Sequence, residues 1–226
     1  MSNIFILSGP AAVGKTTVSK LVMEKFPDLQ KTMTFTTRPQ RGSGNEDKIM
    51  NYISQPEFEK KIKDNDFIEW AFVHGNYYGT DKKHLESTLK KGNIIMNIDV
   101  QGGLQMKKLY LQEPEPSSKV KHKNTNKSRR PETILIFIKP ESFTQLKNRL
   151  IKRQKPLPEI PQSRNQKLPE IPQSRKNKDL QTRLKNTKKE LKLGKKYDYK
   201  IKNREGKINQ TVNQIAQIIN KHLSID

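Results

Sequence analysis

The chain has 226 residues, enough for one globular domain with appended lobes. It carries 45 Lys and Arg against 23 Asp and Glu, a net charge of +22, and no cysteine, which excludes a disulfide scaffold, a thiolate metal cluster and a cysteine nucleophile. The longest strongly apolar run, residues 134–138, is too short to span a membrane, and residues 1–7 lack the charged start and cleavage site of a signal peptide. We therefore expect a soluble, cytoplasmic protein.

The positive charge has two interpretations. A basic surface attracts the phosphate backbone of nucleic acids, but Lys-rich tails also surround proteins whose function lies elsewhere. Residues 119–130 hold six basic and no acidic side chains, and residues 185–196 are similarly rich in lysine, whereas the first hundred residues are nearly balanced. Because composition alone rarely identifies a partner, we favour the second interpretation and do not expect nucleic acid to be the partner.

Short apolar runs alternate along the chain with segments of helical spacing. Apolar runs predict buried strands at residues 3–8, 93–99, 134–138 and 197–201. Helical spacing predicts helices over residues 15–26, 85–90, 101–110, 143–153, 180–193 and 208–223. Strands that alternate with helices predict an α/β fold with a mainly parallel sheet.

Two polar stretches interrupt this alternation, residues 113–132 and 154–178. The first is rich in Pro, Ser and Lys with almost no apolar content, which predicts a mobile loop. The second contains the octapeptide LPEIPQSR twice, at 157–164 and 168–175, and its prolines oppose a helix. Two copies are too few for a stacked solenoid, so this composition favours a tolerated insertion over a proline-rich ligand for a partner domain.

The strongest motif joins the first predicted strand to the first predicted helix. Residues 9–16 read GPAAVGKT and match the phosphate-loop pattern GxxxxGK[ST]. Glycines let backbone N–H groups turn toward phosphate oxygens, and the helix N-terminus adds its positive end. We expect Lys15 to bridge the β- and γ-phosphates of a nucleotide and Thr16 to offer its hydroxyl oxygen to Mg²⁺. The residues predicted to bind the nucleotide here are Gly9, Pro10, Ala11, Ala12, Val13, Gly14, Lys15, Thr16 and Thr17.

Many nucleotide-binding proteins share a phosphate loop, so other segments must identify the phosphoryl acceptor. The segments that follow are TTRPQR at 36–41, FIEWA at 67–71 leading into GNYYGT at 75–80, and NIDVQG at 97–102. In this order, and with the phosphate loop, they resemble the guanylate kinase family over about residues 4–222. The resemblance implies Mg²⁺-dependent transfer of the γ-phosphoryl group of ATP to GMP, giving ADP and GDP.

The resemblance also implies an architecture, that of a P-loop nucleoside-monophosphate kinase. A five-stranded parallel sheet flanked by helices would form the core, with a small GMP-binding lobe and a lid. The implied core comprises residues 2–36, 81–148 and 184–226, the lobe residues 37–80 and the lid residues 149–183.

The resemblance assigns residues to the GMP site. Arg38 and Arg41 would hold the phosphate through guanidinium forks, and Tyr78 would hydrogen-bond the same phosphate. Glu69 would accept hydrogen bonds from N1–H and the 2-amino group of guanine, donors that adenine lacks. The remaining GMP-binding positions implied by the resemblance are Thr34 and Thr80 in the base pocket and Asp99 beside guanine and the metal.

Residues near the lid complete the assignment. Arg149 and Arg153 lie in RLIKR and Arg183 in TRL, which look like lid segments of the family. Arg153 and Asn203 would contact ATP, Asn203 near the adenine. The implied catalytic residues are Lys15, Arg38, Arg149 and Arg183, which would stabilise charge on the transferred group.

The chain departs from the family pattern at Met50, Asn97 and Ser43-Gly44, where Tyr, Asp and Gly-Glu are usual. Methionine offers no hydrogen-bond donor, so a phosphate contact at position 50 would be lost. On a strand, Tyr52 would share the face of Met50 about 6–7 Å away and could supply a hydroxyl instead. The sequence leaves both possibilities open.

Three other functions also stay open: a kinase for another nucleoside monophosphate, a degenerate guanylate-kinase-like module that binds a protein, and a nucleic-acid-binding protein. Glu69 and Thr34 argue against the first, and the intact Lys15 and Thr16 argue against the second. We expect ATP and GMP as substrates, with Mg²⁺ as the metal ion. We expect no membrane partner and a chain that is a monomer or a homodimer.

Overall fold

A computed structural model describes residues 2–40, 50–111, 131–153 and 173–224. The strands are β1 (Ile4–Ser8), β2 (Gln30–Lys31), β3 (Thr34–Thr36), β4 (Met50–Tyr52), β5 (Phe67–Val73), β6 (Asn76–Asp81), β7 (Ile94–Asn97), β8 (Thr133–Pro140) and β9 (Tyr199–Asn203). The helices are α1 (Lys15–Lys25), α2 (Gln55–Lys63), α3 (Lys82–Leu89), α4 (Val100–Leu111), α5 (Phe143–Arg153), α6 (Gln173–Leu193) and α7 (Ile208–Leu223). None of these helices is both long and apolar enough to cross a membrane.

Five parallel strands form the main sheet, in the order β2-β7-β1-β8-β9. Every residue of the central strand β1 is buried, as expected where helices cover both faces of a parallel sheet. Phe5 and Leu7 belong to one apolar layer, together with Val18 of α1 and Ile215 of α7. The alternate β1 residues Ile4 and Ile6 belong to the other, with Leu85 of α3 and Met106 of α4. The predicted α/β fold with a five-stranded parallel sheet is confirmed.

A second sheet forms the lobe, with four strands in the order β4-β3-β6-β5. One of its faces packs beneath α2, whose buried Phe58 stacks on Phe67 of β5 at 4.5 Å and on Tyr77 of β6 at 5.1 Å between ring centroids. The aromatic layer leaves the opposite face of this sheet free to carry polar side chains.

Several boundaries differ from those that the sequence indicates. Strand β3 lies in the small sheet, so the lobe includes residues 34–36 rather than starting at residue 37. Helix α6 begins at Gln173, directly after Pro172, so the end of the predicted 154–178 insertion is helical. Strand β9 begins at Tyr199 because a short 3-10 helix, Gly194–Lys196, precedes it. Strands β2 to β6 and helix α2 have no counterparts among the predicted strands and helices.

A buried hydroxyl network fixes the carboxyl end of β1. The Tyr197 hydroxyl donates to Ser8 Oγ at 2.8 Å and lies 3.1 Å from the carbonyl oxygen of Val100, while Ser8 Oγ donates to the carbonyl oxygen of Ile98 at 2.9 Å. Burial raises the pKa of Tyr197, so the hydroxyl keeps its proton. A Cβ at Gly103 would overlap that hydroxyl, which explains the glycine in α4. The network therefore holds the start of the phosphate loop against the segment that leads into α4.

We expect Tyr197→Phe to lower the free energy of unfolding by about 1–2 kcal/mol, because Ser8 and Val100 lose a buried partner. Urea unfolding of the two proteins measures this difference. Tyr199→Phe is the matched control, since the Tyr199 hydroxyl contacts His222 Nε2 at 3.0 Å in a partly buried setting. Equal losses in both variants would contradict a special role for the buried network.

Candidate nucleotide-binding site

The phosphate loop connects β1 to α1, as the motif predicts. Gly9 and Gly14 have φ of +152° and +101°, values that L side chains rarely adopt. A Cβ at Gly9 would overlap the carbonyl oxygen of Ile138, and one at Gly14 would lie 2.8 Å from Asn203 Nδ2. Both glycines are therefore required by backbone conformation and by close approach.

Asn203 supports this loop from the end of β9. The side chain is 3% exposed, its Nδ2 donates to the carbonyl oxygen of Val13 at 2.8 Å, and its Oδ1 accepts from Thr211 Oγ1 at 3.1 Å. These bonds hold the amide in one orientation beneath the loop. The geometry thus supports a positioning role for Asn203, whereas the sequence suggested a contact near adenine.

Lys15 begins α1 and folds back over the loop. Its Nζ donates to the carbonyl oxygens of Gly9 at 2.5 Å and Pro10 at 3.0 Å. Lys15 also lines a cleft of about 300 Å³ between α1, the main sheet and the lobe, together with Thr16, Thr34, Met50 and Asn97. The cleft therefore joins the phosphate loop to the lobe that the sequence assigns to GMP.

Strand pairing brings three of the predicted GMP-site residues into one row. Thr34 of β3 pairs with Thr80 of β6, and Thr80 pairs with Glu69 of β5. Thr80 Oγ1 donates to Glu69 Oε1 at 2.6 Å, and both side chains are buried. In the next row on this face, Tyr78 of β6 pairs with Thr36 and is half-buried.

A β-bulge at Ile68 directs Glu69 into this row. Phe67 pairs with Asp81, whereas Glu69 pairs with Thr80, so one extra residue lies between the two pairs. The extra residue reverses the alternation of side chains, which puts Phe67 in the aromatic layer and Glu69 on the opposite face. The bulge thus separates the apolar support of the lobe from its polar site.

Two carboxylates face each other across the start of α4. A Cβ at Gly102 would lie 2.5 Å from Glu69 Oε2 and 3.1 Å from Asp99 Oδ2, so this position has room for hydrogen alone. Asp99 Oδ1 accepts from the backbone N–H groups of Gln101 at 2.7 Å and Gly102 at 3.3 Å. Asp99 therefore caps α4 and leaves its second oxygen near Glu69.

Burial sets the protonation of this pair. Desolvation, opposed by the Thr80 hydrogen bond and assisted by the charge of Asp99, raises the pKa of Glu69 to about 7. Burial also raises the pKa of Asp99, although backbone N–H groups and the Lys15 ammonium oppose the shift. Ser8, which directly precedes the phosphate loop, has its Oγ 3.3 Å from the carbonyl oxygen of Asp99, so the loop and the carboxylate pair adjoin.

Arg38 follows the small sheet and is 7% exposed. Its backbone N–H donates to Thr36 Oγ1 at 3.1 Å, and Nη1 donates to the carbonyl oxygen of Pro39 at 3.0 Å. Nη2 donates to the hydroxyl of Tyr52 at 3.1 Å on the neighbouring strand β4. The guanidinium is therefore held by the backbone of Pro39 and the side chain of Tyr52.

The predicted lid arginines lie on two helices that pack together. Arg149 is half-buried on α5, and Arg183 is half-buried on α6. Arg153 closes α5, but its side chain falls outside the described part of the chain, as do Arg41 and Ser43-Gly44. Thr17, the last predicted loop residue, is exposed in the first turn of α1.

The sequence did not single out a further, half-buried carboxylate, Glu190 of α6. Its Oε2 is buried without a hydrogen-bond partner among the described residues. Burial raises its pKa to about 7, while the Lys15 ammonium opposes the shift and the Asp99 carboxylate adds to it. The available signal was that Glu190 is the single acidic residue within residues 185–196.

Comparisons with known proteins agree with this geometry. The family model described as guanylate kinase matches residues 1–120. A guanylate kinase of Fusobacterium nucleatum is 36% identical over 217 residues, which cover 96% of this chain and 95% of the relative. One of Clostridium tetani is 35% identical and covers 96% of this chain and 84% of its own length. A crystal structure of guanylate kinase from Anaplasma phagocytophilum shares the fold, with a TM-score of 0.64 at 24% identity over 98% of this chain and 86% of that one. The chain belongs to the guanylate kinase family.

Proposed function

We propose that the chain transfers the γ-phosphoryl group of ATP to GMP. The observation that carries the proposal is the adjacency of the phosphate loop, which bears Lys15, to the buried carboxylate of Glu69 and the half-buried carboxylate of Asp99. The lysine supplies a positive charge suited to phosphates, and the two carboxylates supply hydrogen-bond acceptors suited to the N–H edge of guanine. A nucleoside monophosphate whose base lies against Glu69 would direct its phosphate toward Arg38.

The donor side of the cleft would bind ATP through the loop. Backbone N–H groups of residues 9–16 and the N-terminus of α1 favour phosphate oxygens. Lys15 would exchange its bonds to the Gly9 and Pro10 carbonyl oxygens for oxygens of the β- and γ-phosphates. The exposed hydroxyl of Thr16 lines the same cleft and fits a ligand of Mg²⁺, which prefers oxygen donors. When bound, Mg²⁺ supplies neutralisation of phosphate charge.

The acceptor side would select guanine and orient its phosphate. Glu69 would accept from N1–H and the 2-amino group, while Thr80 keeps Oε1 in place. Arg38 and Tyr78 would hold the phosphate, and Arg41 would join them. No general base is needed, because the GMP phosphate is already an anionic nucleophile, so positioning and charge neutralisation carry the reaction. Arg149 and Arg183 would stabilise the transferred group from the lid.

The test is an assay of ADP formation that compares nucleoside monophosphates at saturating ATP and Mg²⁺. We expect turnover with GMP and a kcat/KM for AMP at least about 100-fold lower, since adenine leaves the buried carboxylate unpaired. UMP, CMP and dGMP complete the panel, and a reaction without any monophosphate measures background ATP hydrolysis. AMP turnover equal to that with GMP would contradict the guanine pocket. Absence of turnover with every acceptor, in folded protein, would contradict the kinase proposal.

A further inference from the structure

The lobe is continuous in sequence, so the chain crosses twice between the main sheet and the small sheet. The first crossing is residues 32–33, between β2 and β3, and the second is residues 81–82, between β6 and α3. The two crossings lie side by side, because the backbone N–H of Asp81 donates to the carbonyl oxygen of Met33 at 3.5 Å. The backbone at these crossings therefore sets the orientation of the lobe relative to the main sheet.

His84, in the first turn of α3, bonds to both crossings. Its Nδ1 accepts from the backbone N–H of Met33 at 3.2 Å, and its own backbone N–H donates to Asp81 Oδ1 at 2.7 Å. The hydroxyls of Thr32 and Thr88 lie 3.5 Å and 3.3 Å from the same ring nitrogen. A backbone N–H can only donate, so Nδ1 is the unprotonated nitrogen of a neutral imidazole. One residue thus connects both crossings.

Helix α3 anchors this imidazole to the core. Leu85, the next residue, is fully buried in the apolar layer that contains Ile6 and Met106. Thr88, one turn later, is also buried, and its hydroxyl donates to the carbonyl oxygen of His84 at 2.7 Å. The imidazole is therefore a fixed point of the core to which the first crossing is bonded.

The residues next to the crossings belong to the base row of the proposed GMP site. Thr34 directly follows the first crossing, and Thr80, which donates to Glu69, directly precedes Asp81. Thr34 also lines the cleft that contains Lys15 of the phosphate loop. A rotation at the crossings would therefore move the whole row relative to the loop, and a displacement of about 1 Å can slow a reaction about 100-fold.

We propose that His84 is a positioning residue for phosphoryl transfer, whose Nδ1 holds the lobe in the orientation that directs a bound acceptor toward the phosphate loop. The inference rests on the proposed function, because it takes the acceptor base to lie against Glu69. The lobe also contacts the core where β5 packs on α4, so loss of the imidazole loosens the lobe without detaching it. The base row lies within the lobe, so base binding is largely retained while alignment is lost.

Distances between spin labels on the lobe and the core test the first part of this proposal. The chain has no cysteine, so Lys60→Cys on α2 and Asn213→Cys on α7, both at exposed positions, give one specific pair of labels in the full chain. In this background we expect His84→Ala to give a distance distribution at least about twofold wider. His84→Asn should keep the wild-type distribution, because its side-chain oxygen can accept in place of Nδ1. Lys83→Ala, an exposed neighbour on α3, is the matched control. A wild-type distribution in His84→Ala overturns the proposal.

Single-turnover rates of transfer from ATP to GMP, with calorimetric affinities for guanosine and ATP, test the second part. We expect His84→Ala to lower the transfer rate about tenfold or more and to leave both affinities within about threefold of wild type. His84→Asn should restore the rate to within about twofold of wild type. Equal rate losses in the two variants, or a loss of guanosine affinity as large as the loss of rate, overturn the proposal. Absence of transfer by the wild type would instead overturn the proposed function, while the label distances still decide whether His84 holds the lobe.

Discussion

Replacing Lys15 with alanine should lower kcat by about 10³-fold or more while leaving the protein folded. Lys15 begins α1 at the phosphate loop, and its ammonium would stabilise the negative charge that develops on the transferred phosphoryl group. Lys15 itself lines the cleft, so water can enter the space that the truncated side chain leaves. Steady-state rates of ADP formation, with a melting curve for each protein, measure the two effects.

Lys25→Ala provides the matched control for this experiment. Lys25 is exposed in the last turn of the same helix, about 15 Å from Lys15 at 1.5 Å per residue. Its loss should leave kcat within about twofold of wild type, because an exposed charge at that distance is largely screened. Near-wild-type turnover by the Lys15 variant would contradict the assignment of the phosphate loop.

The parts of the fold that the sequence predicts are those with a local signal. The phosphate loop is specified by eight consecutive residues between an apolar run and a helical repeat, and Gly9 and Gly14 occupy the strained positions that the motif implies. Strands β1, β7 and β8 are continuous apolar runs because both faces of the main sheet are covered. Strand β2 contains Gln30 and Lys31 alone at the sheet edge, and two polar residues carry no periodicity to detect.

The geometry of the site depends on contacts between distant segments. The bulge at Ile68 selects the face that receives Glu69, and FIEWA shows no glycine or other sign of it. Asn203 meets Val13 across 190 residues, and only the packing of β9 against β8 brings them together. A motif identifies which residue types are present, whereas these long-range contacts decide which atoms remain available to a ligand.

Glu69 illustrates the opposing demands of stability and binding. Its pKa is raised from 4.5 to about 7 in the folded protein, so its contribution to stability is present at low pH and is lost as the pH rises between these values. The ionised form that guanine requires is therefore the form that the empty site disfavours. Guanine N–H donors would stabilise the carboxylate, so binding should lower its pKa and offset this cost.

Glu69→Gln should weaken GMP binding about 100-fold, since an amide presents N–H where guanine also presents N–H, and a charged acceptor is lost. Affinity for ATP should change little, because Glu69 lies on β5 of the lobe rather than in the phosphate loop. Binding titrations with each nucleotide measure the selectivity, and melting curves verify the fold. An unchanged preference for GMP over AMP would contradict the guanine pocket.

Glu69→Gln should also abolish the pH dependence that we expect for guanosine binding by the wild type. Guanosine has no phosphate to titrate, so the pH dependence of its affinity reports the titration of protein groups. At pH 6 about a tenth of a carboxyl group with a pKa of about 7 is ionised, so guanosine should bind about tenfold more weakly at pH 6 than at pH 8. Asp99 titrates with Glu69 as a coupled pair, so the midpoint belongs to both. Glu190 also has a pKa of about 7, and Glu190→Gln distinguishes its titration from that of the pair. The affinity for guanosine should still rise with pH in Glu190→Gln and should no longer depend on pH in Glu69→Gln. The reverse pattern would place the guanine-binding carboxylate on α6.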